Sequence, residues 1–264
     1  MRNPGKWSRG LRNRLGLPGR DTMVLVLTWA ASGVDAISYL GLGHVFTANM
    51  TGNTVLLGLA IGQGQGLAAL RSVVALMGFA LGAALGALIV EKGPQHGNWP
   101  SVVTGALLVE SITLGLFTLG WHFGERSGAV LYTLIILSAL AMGTQSAAIR
   151  HLKVPGVATT FITGTITAMV AGSVSWLYRF RLSPLEVDPT GQSATLDVPT
   201  AHRHRGARLQ ALVVLVYIAA ALFSAFLQSR RPRLVALSPL IAVAFVVVNA
   251  YLRHRRARVP SAVP

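Results

Sequence analysis

The chain has 264 residues, of which 52% are hydrophobic and 12% charged, and a formal net charge of +15. Soluble domains carry about 25% charged residues. Half that share, with a mean hydropathy of +0.57, excludes an ordinary soluble enzyme and points to a lipid environment. The absence of Cys excludes disulfides, Cys–zinc sites and thiol catalysis.

Inside hydrocarbon every backbone group needs an internal partner, so only helices or closed barrels can span a bilayer. Barrel strands alternate apolar and polar residues over about ten positions. Here the apolar runs are continuous and roughly 17–24 residues long, the length of a spanning helix. The expected fold class is therefore all-α: a polytopic transmembrane helical bundle of about six full spans plus two short broken or re-entrant segments. The +15 charge would suggest nucleic acid in a soluble protein. Here basic residues near span ends set topology and meet anionic headgroups, so the expected partner is the lipid bilayer and not nucleic acid.

Residues 1–21 form a basic tail with Arg2, Lys6, Arg9, Arg12, Arg14 and Arg20. The run from Met23 to Gly43 is too long for a signal-peptide core and reads as a retained first span. A short apolar segment follows from about Thr47 to Gly62, then spans near Leu67–Val90, Val102–Trp121 and Ala129–Ile149. A second shorter segment covers Val157–Tyr178, after Pro155-Gly156. Residues 181–208 are polar and Pro-containing, a flexible loop by composition. The last spans are Leu209–Leu227 and Val235–Tyr251, and residues 253–264 form a basic C-terminal tail. The transmembrane region is thus 22–252. Lys and Arg are expected in tails and short gaps, which places both termini in the cytoplasm of an inner (cytoplasmic) membrane protein. Charge does not choose between six and eight crossings. Gly78, Gly82 and Gly86 recur every four residues, a spacing that lets helices approach closely. That stripe suits internal packing better than a contact between two copies, which leaves a homo-oligomer open.

The chain also repeats itself. FTANMTGNTVLLGLA at 46–60 aligns with ATTFITGTITAMVAG at 158–172. Thr47 falls on Thr159, and Thr51-Gly52-Asn53 on Thr163-Gly164-Thr165. Upstream, with two residues inserted near Pro155-Gly156, Gly33 falls on Gly143 and Asp35 on Gln145. The halves would be about 22–121 and 128–252, inverted if the short segments turn back and parallel if they cross. The Thr-Gly steps are candidate helix breaks. A helix beginning there would present N–H groups and a positive dipole end to an anion. Close packing alone explains the same residues equally well.

Two acids lie inside apolar runs, Asp35 and Glu110. An isolated charge at mid-bilayer costs about 2.5–3.5 kcal/mol on insertion scales. No Lys or Arg is expected inside any span to pair with either acid. Each is expected to be protonated, hydrogen-bonded to polar neighbours, or lining a wet cavity. Asp35 is the stronger functional candidate, because Ser32, Asp35 and Tyr39 share a helix face by spacing. The His residues form no metal spacing, and no hydrolase, zincin, P-loop or dinucleotide fingerprint is present. No enzyme activity and no cofactor are expected.

The segment GVDAISYLGLGHVFTANMTGNTVLLG, from Gly33 to Gly58, resembles the YoaK-like family of bacterial inner-membrane proteins of unknown function. Val34-Asp35-Ala36, Phe46 and the string Ala48 to Asn53 carry the likeness, with Met142-Gly143-Thr144-Gln145 and Thr160, Thr163 and Gly164 as a second stretch. The resemblance implies a small multi-span protein of the cytoplasmic membrane and supplies no substrate.

The function expected from these features is a secondary transporter or permease for a small solute or ion. Its pathway would be lined by Asp35, Tyr39, Thr47, Asn49, Thr51, Gly52, Asn53, Glu110, Gln145, Thr163, Gly164 and Thr165. The alternative is a structural or regulatory membrane protein that binds a partner or lipid without transport.

Overall fold

The structure, a computed structural model, describes residues 18–93, 99–125, 127–152, 154, 162–182 and 200–258. Among these residues the only regular elements are eight helices. They are α1 (Arg20–Gly41), α2 (Met50–Gly62), α3 (Gly66–Glu91), α4 (Ser101–Phe123), α5 (Gly128–His151), α6 (Ile162–Leu182), α7 (Thr200–Arg230) and α8 (Leu237–Arg258). Six of them are long and apolar enough to cross a membrane, whereas the apolar parts of α2 and α6 are shorter. This matches the expected six spans and two short segments.

Two boundaries differ from the sequence reading. Residues 200–208, expected within a loop, already belong to α7, and α8 runs on through the basic residues to Arg258. A hydrophobicity criterion stops where charge begins, but Arg and Ala propagate a helix well in water. Basic residues are also not confined to tails and gaps: Arg71 lies within α3 and donates to the Gly43 carbonyl at 3.0 Å.

Side-chain ties fix the direction of each span. At one end, Arg253 donates to the Pro18 carbonyl and Thr104 meets His254 at 3.3 Å, joining the start of α1 and of α4 to the end of α8. At the other end, the Trp121 indole donates to the Pro232 carbonyl at 2.6 Å and packs against Gly41. Hence α1 and α4 run one way and α8 runs back. Gly120 and Gly124 face Leu134 and Val130, which makes α4 and α5 an antiparallel hairpin. Gly78, Gly82 and Gly86 face Ala139, Leu140 and Ala147 in ascending order, so α3 runs parallel to α5.

These directions decide how α2 sits. The chain leaves α1 at the far end, where Arg71 of α3 also reaches Gly43. Both ends of the Leu42–Gln65 stretch therefore lie on one face, and α2 is re-entrant, not a crossing helix. At the same end Pro232 follows α7. A 31-residue helix is about 46 Å long. The start of α7 therefore lies toward the terminal end, which is also where α5 finishes. Helix α6 stands between those two points.

The core is built between sequence halves. Helix α3 packs on α5, α7 on α1, α4 on α5 and α8 on α1, while α2 and α6 each pack on the span that follows them. The closest approach is at Gly82 and Gly143. A Cβ on Gly82 would meet the Leu140 carbonyl, and one on Gly143 would meet the Phe79 carbonyl. Thr144 donates to the Gly82 carbonyl across the same seam at 3.1 Å. The outer face of α3 carries exposed Met77, Leu81 and Leu88, suited to acyl chains.

Two outcomes follow from this packing. Gly82→Ala and Gly143→Ala should each destabilise the protein by about 1–3 kcal/mol, read as a lowered melting temperature in detergent. Gly58→Ala, with open space around it, should not. Because the chain has no Cys, a single Gln63→Cys should be labelled by an impermeant maleimide from the same side as Glu125→Cys. Labelling from opposite sides would make α2 a crossing helix.

Candidate functional site

The α1–α2 junction gathers most of the polar residues singled out in the first half. Helix α1 ends in a Schellman turn, with the His44 amide donating to the Tyr39 carbonyl at 3.1 Å. Gly43, at φ +80°, takes the left-handed position that this turn requires, and His44 follows at φ +62°. The chain then folds back beside α1, and the amides of residues 45–49 lose their helical partners.

Asp35 supplies the acceptors. Its Oδ1 receives the amides of Thr47 at 2.9 Å, Ala48 at 2.7 Å and Asn49 at 3.3 Å. Its Oδ2 receives the Tyr217 hydroxyl at 3.0 Å. Three successive amides aimed at one oxygen form a backbone nest, and the oxygen it holds belongs to the chain itself. Asn49 caps α2 by accepting the Gly52 amide at 3.1 Å. Asn53 accepts the Phe46 amide and donates to the Phe46 carbonyl, reading that backbone as a strand neighbour would. Ser38 lies 3.4 Å from the Thr47 hydroxyl. Tyr39 stacks on Phe46, with ring centroids 5.0 Å apart. Asp35, Thr47 and Asn53 are buried.

Asp35, Tyr39, Thr47, Asn49, Gly52 and Asn53 therefore belong to one connected cluster. Thr51, in the same string, is exposed on the bundle surface. Gln145 is fully buried, and its amide donates to the Leu27 carbonyl of α1 at 3.1 Å. Thr163 and Gly164 are exposed at the start of α6, whereas Thr165 is buried. Thr159 and Thr160 lie outside the described residues. Among the described residues no substantial packing joins α2 to α6, so the two Thr-Gly steps are not brought together.

Glu110 stands apart from all of these. It occupies the middle of α4, has no solvent exposure, and neither carboxyl oxygen has a hydrogen-bond partner. The ties Thr104–His254 and Thr118–Ala236 bracket it, so it lies level with the part of α8 that buries Ala242, Val243, Val246 and Ala250. No group of three or more His, Asp or Glu that could hold a metal ion occurs among the described residues.

Tyr217 is the member of the Asp35 cluster that sequence reasoning missed. Its signal was available: it is the only Tyr in the apolar run 209–227, and a mid-span hydroxyl needs a partner. Ser32 also binds α7, donating to the Tyr217 carbonyl at 2.6 Å.

The cluster predicts an order of stabilities. Asp35→Ala orphans three buried amides at about 1–3 kcal/mol each. Asp35→Asn keeps an acceptor oxygen and should lose less, and Tyr217→Phe should lose only about 1.5–3 kcal/mol. Melting temperatures in detergent should fall in that order. An Asp35→Ala protein as stable as the wild type would show that the nest is not formed.

The chain matches the family described as protein of unknown function (DUF1275) over residues 23–252. It is 42% identical over 151 residues to the UPF0700 transmembrane protein YoaK of Bacillus subtilis (strain 168), covering 57% of this chain and 66% of YoaK. The aligned part is therefore just under two thirds of that relative's length. No solved structure matches. With several apolar helices and a transmembrane relative, this is an integral membrane protein in contact with the lipid bilayer. Since the family match takes in all but the two basic ends of the chain, the protein belongs to the DUF1275 family.

Proposed function

We propose that the protein is a secondary permease for a small solute or ion in the cytoplasmic membrane, with both termini in the cytoplasm and no catalytic chemistry. The observation that carries this reading is the placement of α2. It enters from the far face and returns to it, while α6 stands between two elements at the terminal face. Many secondary transporters pair inverted repeats with broken helices that enter from opposite faces.

The packing supports the inverted-repeat form of that reading. Exchanging α1 with α5 and α3 with α7 turns the α3–α5 contact into the α7–α1 contact, and exchanging α4 with α8 turns α4–α5 into α8–α1. Gly33 and Gly143, aligned in the repeat, each meet the helix that this exchange assigns, Gly33 facing Ser224 of α7 and Gly143 facing Phe79 of α3. Asp35 acts in this reading as the latch that holds the re-entrant segment in place.

A second reading has its own support. Asp35 and Asn53 spend their polar atoms on the protein's own backbone. That is what a structural or regulatory membrane protein binding a partner or lipid would show.

Uptake into proteoliposomes across a panel of small solutes, under imposed pH or sodium gradients, separates the two. The permease reading expects gradient-dependent accumulation of at least one solute. No accumulation and no solute-dependent thermal shift, together with one stoichiometric co-purifying partner, would support the second reading instead.

A further inference from the structure

The two acids inside the membrane are in opposite states of satisfaction. Asp35 has four donors on its two oxygens. Glu110 has none, although both oxygens are buried. A structural role does not account for Glu110. A carboxyl that makes no hydrogen bond holds nothing in place, and an apolar side chain of similar volume would fill the site at lower cost. An unsatisfied buried polar group in a native protein calls for an explanation in strain, function or a bound water or ion, and ionisable groups at membrane depth mark pathways and proton relays.

On the helices that pack along α4 the ionisable groups lie toward the ends. Helix α1, which meets α4 at Gly41 and Trp121, carries Arg20 and Asp21 at its start, Tyr39 near its end, and Asp35, whose two oxygens are already engaged. On α3 the ionisable groups are Arg71 and Glu91, near its two ends. On α5 they are Tyr132 near the start and Arg150 and His151 at the finish. On α8, Tyr251 and the run beginning Arg253-His254 come only after the buried Ala250. The ligand chemistry left for an isolated acid in an apolar crossing is the proton itself.

Resting on the permease reading, we propose that Glu110 is a proton-binding site at the α4–α8 crossing, loaded and unloaded when that crossing opens to water. In loading, a hydronium ion gives its proton to a carboxylate oxygen and leaves as water. In unloading, the acid O–H returns the proton to water and leaves the carboxylate. Opening is required because Glu110 has no exposure in the present arrangement.

The test reads the acid directly and needs no solute. Infrared spectra of the full-length protein in lipid vesicles are recorded in H2O and D2O for the wild type, Glu110→Gln and Asp35→Asn. The expected result is a carboxylic C=O band that shifts in D2O within hours, is lost in Glu110→Gln and persists in Asp35→Asn. Glu110→Met replaces the Gln variant if that protein does not fold. A band that survives removal of Glu110, or one that stays unshifted for days in D2O, overturns the proposal. Because the readout is proton exchange, failure of the uptake panel would sink the permease reading without touching this result, and the converse also holds.

Discussion

Backbone amides released inside hydrocarbon must find acceptors, and in the first half of this protein Asp35 is the acceptor on which the local architecture depends. Without it, the fold-back after Gly43 would bury three orphaned donors, and α2 could not begin at the depth it does. The same carboxylate receives the Tyr217 hydroxyl, so one side chain ties α1, the re-entrant segment and α7 together. Asn49 and Asn53 finish the work at the start of α2 by capping the helix and pairing with Phe46. The string Ala48 to Asn53 is thus a device for breaking a helix in lipid without leaving polar groups bare.

Much of this was legible in the residues. Continuous apolar runs gave six spans and two short segments because length and hydropathy report directly on the solvent. Thr-Gly steps marked α2 and α6 as different, but the amides that Asp35 holds are those of Thr47, Ala48 and Asn49, just before α2 begins. Tyr217 lies 182 residues from Asp35, and periodicity carries no information about which helices become neighbours. The glycine stripe announced a close contact for the same reason that it could not name the partner, since small residues specify distance and not identity. Thr51, Thr163 and Gly164 looked like pathway residues because Thr and Gly suit both broken helices and lipid-facing turns, and here they are exposed.

The two membrane acids show why residue type alone is a poor guide to role. Neither has a basic residue in its own span, so the sequence offers the same rationale for both. Their surroundings separate them. Asp35 stands one turn and a half from a chain reversal whose amides converge on it. Glu110 stands in mid-helix, where all nearby amides are already spent on the helix ladder and the buried residues of α8 at its level are Ala and Val. The first acid completes a backbone; the second completes nothing that the folded arrangement contains.

The seam between α3 and α5 has a consequence for how the protein is made. Gly82 lies against the Leu140 backbone and Gly143 against the Phe79 backbone, so early and late parts of the chain meet at this seam. During synthesis, α3 enters the bilayer with its glycine face bare to lipid until α5 emerges from the translocon. Asp35 likewise waits for Tyr217. The nascent first half therefore has no finished interior of its own, and the protein must assemble as a single interlocked body, not as two modules joined end to end.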